Sequence, residues 1–302
     1  MRTAFVETLY EEALRDPRIF FITSDFWHVK EEEFRALGAR YQNGGMAEQN
    51  IISLAVGAAL SGKKVFVYSI VPFITLRCIE QVKVDVCSHE ADVTIVGGGA
   101  GFTYGTCGIT HLAIEDIAMM RSLPHMRIIS PSGSAEASAL LRETIRLGGP
   151  TYFRLNMRED GDLTSMKPEV GKGMIVREGV DVCIIATGTI LAEAFGVADM
   201  LAEKGISVEV VNMHTIKPLD EGLVRERVRS RRAVCTLEEH SIIGGLGGAV
   251  AEVFAESGGT ARFRRFGIKD AWPTVVGSQK YLRTVTGISQ EYLAVAIEKL
   301  LQ

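Results

Sequence analysis

Two groups in this chain are placed to move protons. Glu48 lies in Gly44-Gly45-Met46-Ala47-Glu48-Gln49-Asn50, where a double glycine breaks the chain. Residues 46–60 then carry helical spacing up to Gly62. The helix dipole favours a carboxylate in that first turn. Such a group suits general acid–base chemistry, but taken alone it reads equally well as an ordinary opening residue. His111 follows Gly97-Gly98-Gly99-Ala100-Gly101-Phe102-Thr103-Tyr104-Gly105-Thr106-Cys107-Gly108, a loop with six glycines. A loop of this kind lets the backbone approach a ligand closely. It lacks the GxGxxG spacing of a dinucleotide fingerprint and the lysine of a P-loop.

Other side chains could surround these two. Phe73 leaves a strand in Val67-Tyr68-Ser69-Ile70-Val71-Pro72-Phe73, and its ring either stacks on a ligand or packs in the core. Arg154, in Tyr152-Phe153-Arg154-Leu155, has the guanidinium geometry for a phosphate or carboxylate, or for a salt bridge at a strand edge. Asp25 follows Phe21-Ile22-Thr23-Ser24, at the carboxyl end of a strand, where open parallel sheets place ligand groups. His28 is close by in sequence and could line the same channel.

The elements that must position these groups follow a strand–helix rhythm. Strands are expected at 18–23, 65–69, 92–96, 127–129, 182–186, 208–211 and 233–237. Helices are expected at 3–15, 48–60, 74–88, 114–123, 134–147, 191–204 and 249–256. The strands are continuous apolar runs rather than alternating ones, which marks parallel sheets covered on both faces. Charged residues, Gly and Pro without periodicity mark a seam at 158–173. The fold class is therefore α/β, as two consecutive domains at 1–165 and 174–302, each a mostly parallel sheet flanked by helices.

Composition agrees with a globular protein. Of 302 residues, 47% are hydrophobic and 23% charged. A net charge of −4 gives no electrostatic case for nucleic acid or an anionic membrane. No apolar run approaches the ~18 residues of a membrane span. The five cysteines form no CxxC pair, which points to the reducing cytoplasm.

Together the motifs resemble the pyrimidine-binding and C-terminal domains of transketolases, the thiamine diphosphate enzymes that move two-carbon ketol units. Gly45-Met46-Ala47-Glu48-Gln49-Asn50 is similar to the family's Gly-Ile-Ala-Glu-Gln segment. Thr110-His111-Leu112-Ala113-Ile114-Glu115-Asp116 resembles its Thr-His-x-x-x-Glu-Asp block. Asp181 to Gly188 and Leu237 to Gly248 resemble its C-terminal domain. The resemblance implies that Glu48 shares a proton with the cofactor's aminopyrimidine and that Phe73 stacks on that ring. Ile70 stands where the family has a first phenylalanine, and Asp25 lies near the thiamine. His111 would assist proton movements on the substrate, while Arg154 matches a residue that holds a substrate phosphate.

Two departures bear on the substrate. Cys107 stands where the family has an aspartate that contacts a sugar hydroxyl, and Gly99 where it often has a phosphate-binding histidine. The resemblance therefore implies a non-standard sugar, with Cys107 and His28 lining the substrate site. The family's metal-binding Gly-Asp-Gly segment has no counterpart beyond Asp160-Gly161-Asp162 in the seam. The expectation is one subunit of a split transketolase. An N-terminal partner would carry the diphosphate and Mg²⁺ (or Ca²⁺) site, and two copies of each chain would form a heterotetramer. The alternatives are a 2-oxo acid dehydrogenase β subunit, a 1-deoxyxylulose-phosphate-synthase-like enzyme, and a silent scaffold subunit.

Overall fold

The computed structural model describes residues 1–25, 29–157 and 167–302. The first half supplies strands β1 (Ile19–Thr23), β2 (Tyr41–Asn43), β3 (Lys64–Ile70), β4 (Val93–Gly98), β5 (Arg127–Ile129) and β6 (Thr151–Leu155). The second half supplies β7 (Met174–Arg177), β8 (Val182–Ala186), β9 (Val208–Asn212), β10 (Thr215–Lys217), β11 (Ala233–Ser241) and β12 (Arg262–Ile268).

They form two sheets, ordered β10-β5-β6-β4-β3-β1-β2 and β12-β11-β8-β9-β7. Among the strands of the described residues, only the edge strands β10 and β7 run antiparallel to their neighbours. Both faces of the first sheet are covered. Val65 and Val67 of β3 enter one apolar layer, while Phe66 and Tyr68 enter the other. The second sheet repeats the arrangement, with Ile184 on one side and Cys183 and Ile185 on the other.

The expected α/β architecture is present; β2, β6, β7, β10 and β12 and the helices Gln279–Val285 and Gln290–Leu301 lie outside the expected elements, and two further details differ. The helix expected over 74–88 is broken into Val71–Ile74, Leu76–Cys78, Ile79–Gln81 and a π-helical Val82–Cys87. Pro72 in its first turn starts a new element where β3 ends. Irregular helix of this kind re-aims side chains, and it lies beside Glu48. Secondly, β10 comes from the second half of the chain yet pairs with β5 in the first sheet. The two halves are thereby joined through backbone hydrogen bonds as well as side chains.

Candidate active site

The carboxyl ends of β1, β2, β3 and β4 gather the candidate residues along one rim, the usual place for ligand groups in an open parallel sheet. Glu48 is the first residue of helix Glu48–Leu60, which follows β2. It is only 3% exposed. Ser24, after β1, donates from Oγ to Ser69 Oγ at 2.7 Å. Ser69, near the end of β3, donates to Glu48 Oε1 at 3.2 Å. The other oxygen, Oε2, accepts from Arg77 Nη1 at 2.6 Å. A buried carboxylate thus has one oxygen held from inside the protein and the other held by a side chain that is itself half-exposed.

The broken helix after β3 presents Phe73 next to this carboxylate. Cys78 donates from Sγ to the Phe73 carbonyl at 3.3 Å, fixing the turn. Burial, with Glu48 nearby, pushes that thiol up to about 12, so it acts as a neutral donor. The Phe73 ring meets the His111 ring edge-on at 5.2 Å between centroids. Tyr104 approaches His111 from elsewhere at 6.0 Å, also edge-on. Thr110 Oγ1 lies 2.9 Å from His111 Nδ1, which sets the ring's orientation on that side.

The glycine-rich loop is shaped by two close approaches. Gly99 has φ +88°, and a Cβ there would overlap the Tyr104 ring. Gly101 has φ +60°, and a Cβ there would overlap the Glu239 carboxylate. Both positions therefore require glycine for its backbone and for space. Tyr104 fills the volume that a side chain at position 99 would take.

Of the expected site residues, the structure brings Glu48, Phe73 and His111 together. Ile70 is half-buried at the end of β3, just before the turn that carries Phe73. Asp25 is exposed after β1, within 3.4 Å of Asn43 Nδ2. Cys107 is exposed in the short turn Gly105–Cys107, in the segment before His111. His28 lies outside the described residues.

Arg154 requires a correction. It is 4% exposed and committed inside the protein. Its Nε donates to Asp116 Oδ2 at 2.7 Å, and its Nη2 donates to the Ala113 and Glu239 carbonyls at 2.8 and 3.2 Å. Tyr152 donates to the same Asp116 oxygen at 2.6 Å. Burial alone would raise the Asp116 carboxyl. The Arg154 guanidinium offsets this and holds it below its ordinary value. The strand places Arg154 facing inward, so it braces the segment carrying His111 and is not set out as an anchor for an anion.

Four residues of the site were not singled out by their sequence: Ser24, Ser69, Arg77 and Tyr104. Ser69 lies in β3, where the facing of one polar side chain depends on strand register, and the direction of Arg77 toward Glu48 depends on the broken helix. Tyr104 carries no signal until the positive φ at Gly99 is known.

Residues 1–159 match the transketolase pyrimidine-binding domain family, and residues 171–292 match the transketolase C-terminal domain family. The chain is 38% identical over 278 residues to a putative transketolase C-terminal section of Methanocaldococcus jannaschii, covering 90% of this chain and 87% of that one. It is 36% identical to a 6-deoxy-6-sulfo-D-fructose transketolase subunit of Clostridium sp. strain MSTE9, covering 96% and 90%. Among solved structures, a split gene transketolase, determined as an inactive β4 tetramer, superposes with a TM-score of 0.90 at 33% identity, covering 99% and 97%. No helix among the described residues is long and apolar enough to cross a membrane. The chain belongs to the transketolase family, as the pyrimidine-binding and C-terminal subunit of a split, thiamine-dependent transferase that works with a partner subunit.

Proposed function

We propose that the chain transfers a two-carbon ketol unit from a non-standard ketose to an aldehyde acceptor, within a heterotetramer of two copies of each subunit. The observation that carries this is the grouping of Glu48, Phe73 and His111 on one sheet rim. The residues present fit an aminopyrimidine. A buried carboxylate stands beside an accessible aromatic ring, and a planar cationic group, the Arg77 guanidinium, already fits against both. When bound, thiamine diphosphate supplies the nucleophilic carbon and the electron sink for breaking and making the carbon–carbon bond.

This chain's residues do the rest on the pyrimidine side. Glu48 would hold a proton at Oε2 toward the aminopyrimidine, while Ser69 keeps Oε1 fixed. Phe73 gives the ring a stacking face, and Ile70 extends the apolar wall. Asp25, exposed after β1, would border the cofactor. His111 holds or moves a proton at the substrate oxygen, with its ring set by Thr110 and Phe73. Among the described residues no cluster of three or more His, Cys, Asp or Glu is arranged to hold a metal. We assign the diphosphate and its Mg²⁺ to the partner.

The sulfo-sugar named for the Clostridium relative supports a substrate outside the ordinary pentose phosphates. So does the local wall, where Cys107 and the Tyr104 ring offer little charge. A division of domains at 165 and 174 is supported by the two family matches. The cytoplasm is the compartment we assign, from five unpaired cysteines of which four are buried.

The test is to reconstitute the chain with its partner, thiamine diphosphate and Mg²⁺. The kcat/KM for xylulose 5-phosphate is then compared with a panel of deoxy, sulfonated, branched and unphosphorylated ketoses. A modified ketose should be preferred. If xylulose 5-phosphate exceeds about 10⁴ M⁻¹s⁻¹ and beats every alternative, the substrate assignment is wrong.

A further inference from the structure

Arg77 is half-exposed, yet it makes the two contacts that define the cofactor's place. Its guanidinium carbon lies 4.7 Å from the centre of the Phe73 ring. Its Nη1 donates to Glu48 Oε2 at 2.6 Å. A planar, hydrogen-bonding cation on an aromatic face, tied to a buried carboxylate, occupies the position expected of an aminopyrimidine. The arginine is aimed there by its backbone. Gln49, one residue after Glu48, donates from Nε2 to the Arg77 carbonyl at 3.0 Å. The short turn Leu76–Cys78 that carries it breaks the helix after Phe73.

We propose that Arg77 is a placeholder, whose guanidinium fills the pyrimidine's seat on Phe73 and Glu48 and must swing out before the cofactor binds. This rests on the functional reading above, because it takes Glu48 and Phe73 as the pyrimidine's partners. The physical logic follows from burial. A carboxylate this deep is costly to leave unpaired. The isolated subunit holds only half of the cofactor site, so it spends time without the pyrimidine. Arg77 supplies the missing partner and covers the Phe73 face meanwhile. Its long stem and exposed position let it leave without disturbing the core. The cofactor then competes with an internal group, and its apparent affinity is lowered by the share of molecules in which Arg77 is seated.

The experiment is calorimetric titration of thiamine diphosphate, with Mg²⁺ present, into the complex of this chain with its partner. Wild type is compared with Arg77→Met and Arg77→Lys. Arg77→Met removes an ion pair and a cation–π contact that stabilise only the cofactor-free state. Binding should tighten by about five- to twentyfold. Arg77→Lys keeps a charge but loses the planar stack, so it should fall between the two. The cofactor-free Arg77→Met complex should also melt below wild type, with the difference closing at saturation.

Unchanged or weaker binding by Arg77→Met overturns the proposal, since the arginine would then be inert or would hold the cofactor itself. If Arg77→Met does not assemble, Arg77→Lys decides by the same criterion. A wild-type complex that takes up no cofactor overturns the functional reading and this one with it. A wild type that binds, beside variants that bind no better, overturns this inference alone.

Discussion

The Glu239 carboxylate, at the far end of β11, accepts the backbone N–H of Phe102 at 2.7 Å in the middle of the glycine-rich loop. One residue of the second sheet thus fixes the loop that leads to His111. The same carboxylate accepts from Gln279 Nε2 at 2.8 Å and pairs with Arg283. Gly101 has no side chain at the place where Glu239 enters. The C-terminal half is therefore a structural part of the site on the first sheet.

Glu239→Gln should destabilise the protein strongly. Both oxygens of Glu239 accept hydrogen bonds, so an amide must turn its NH₂ toward another donor. Arg283, also buried, keeps only Glu193 at 3.0 Å. Breaking a buried pair costs about 3–5 kcal/mol, which lowers Tm by roughly 10 °C in a chain of this size. Thermal melts of the mutant chain check this. A shift within experimental error would show that the loop is held by other means.

Glu48→Gln should leave assembly intact and abolish turnover. The amide oxygen can still accept from the half-exposed Arg77, and the NH₂ can donate to the Ser69 hydroxyl, which is free to turn and accept, so the fold is little affected. It cannot exchange a proton with the pyrimidine. General acid–base groups contribute typically ~10²–10⁴-fold, and the upper end is expected here because the cofactor's activation runs through this one proton. Steady-state assay of the reconstituted complex is the measurement. Near-normal kcat would remove Glu48 from the mechanism.

Much of this was legible in the chain itself. The strands at 127–129 and 182–186 and the helices at 48–60 and 134–147 appear at the expected residues, because apolar runs and capping signals agree locally there. The edge strands β2, β7 and β10 have three or four residues each, too few to show a period. The helix over 74–88 has the correct apolar face, yet the irregular turns that aim Arg77 and Phe73 are set by packing against helix Glu48–Leu60. The sequence offers Arg154 either as an anchor for an anion or as a salt bridge at a strand edge. Whether a guanidinium faces a substrate or a buried aspartate depends on which face of β6 meets Asp116, and that is a matter of tertiary register.

Arg154→Met should act on stability rather than on substrate affinity. Removing the guanidinium leaves Asp116 buried with Tyr152 and His240 as its remaining neighbours. A loss of about 3–5 kcal/mol is expected in urea unfolding. Under conditions where the variant is folded, KM for the ketose should stay within a few-fold of wild type. A large rise in KM with unchanged stability would restore Arg154 as a substrate anchor.

Stability should also fall on mild acidification, and the source is two buried histidines. Burial drives His214 and His240 down to about 4, from an ordinary value of 6.5. His240 is set as a neutral ring, with Nδ1 2.7 Å from the Ser241 carbonyl and Nε2 accepting from the Ala118 amide at 3.4 Å. Between pH 6.5 and about 4 the unfolded chain holds protons on both rings that the native chain does not, so stability drops as the pH drops. Glu238 works in the opposite sense. Burial raises it to about 7, despite the Leu246 and Gly247 amides that donate to it. The native chain keeps a proton there that the unfolded chain releases near 4.5, a contribution present at low pH and lost as the pH rises through 7. Two histidine protons against one carboxyl proton leave a net of one between pH 6.5 and 4.5. The slope is then roughly 1.4 kcal/mol lost per unit of pH fall. Urea midpoints at pH 6.5, 5.5 and 4.5 measure it directly. His214→Asn, which removes one of the two rings, should flatten the slope toward zero. A wild-type midpoint that is flat or rises toward pH 4.5 would overturn this account of the acid sensitivity.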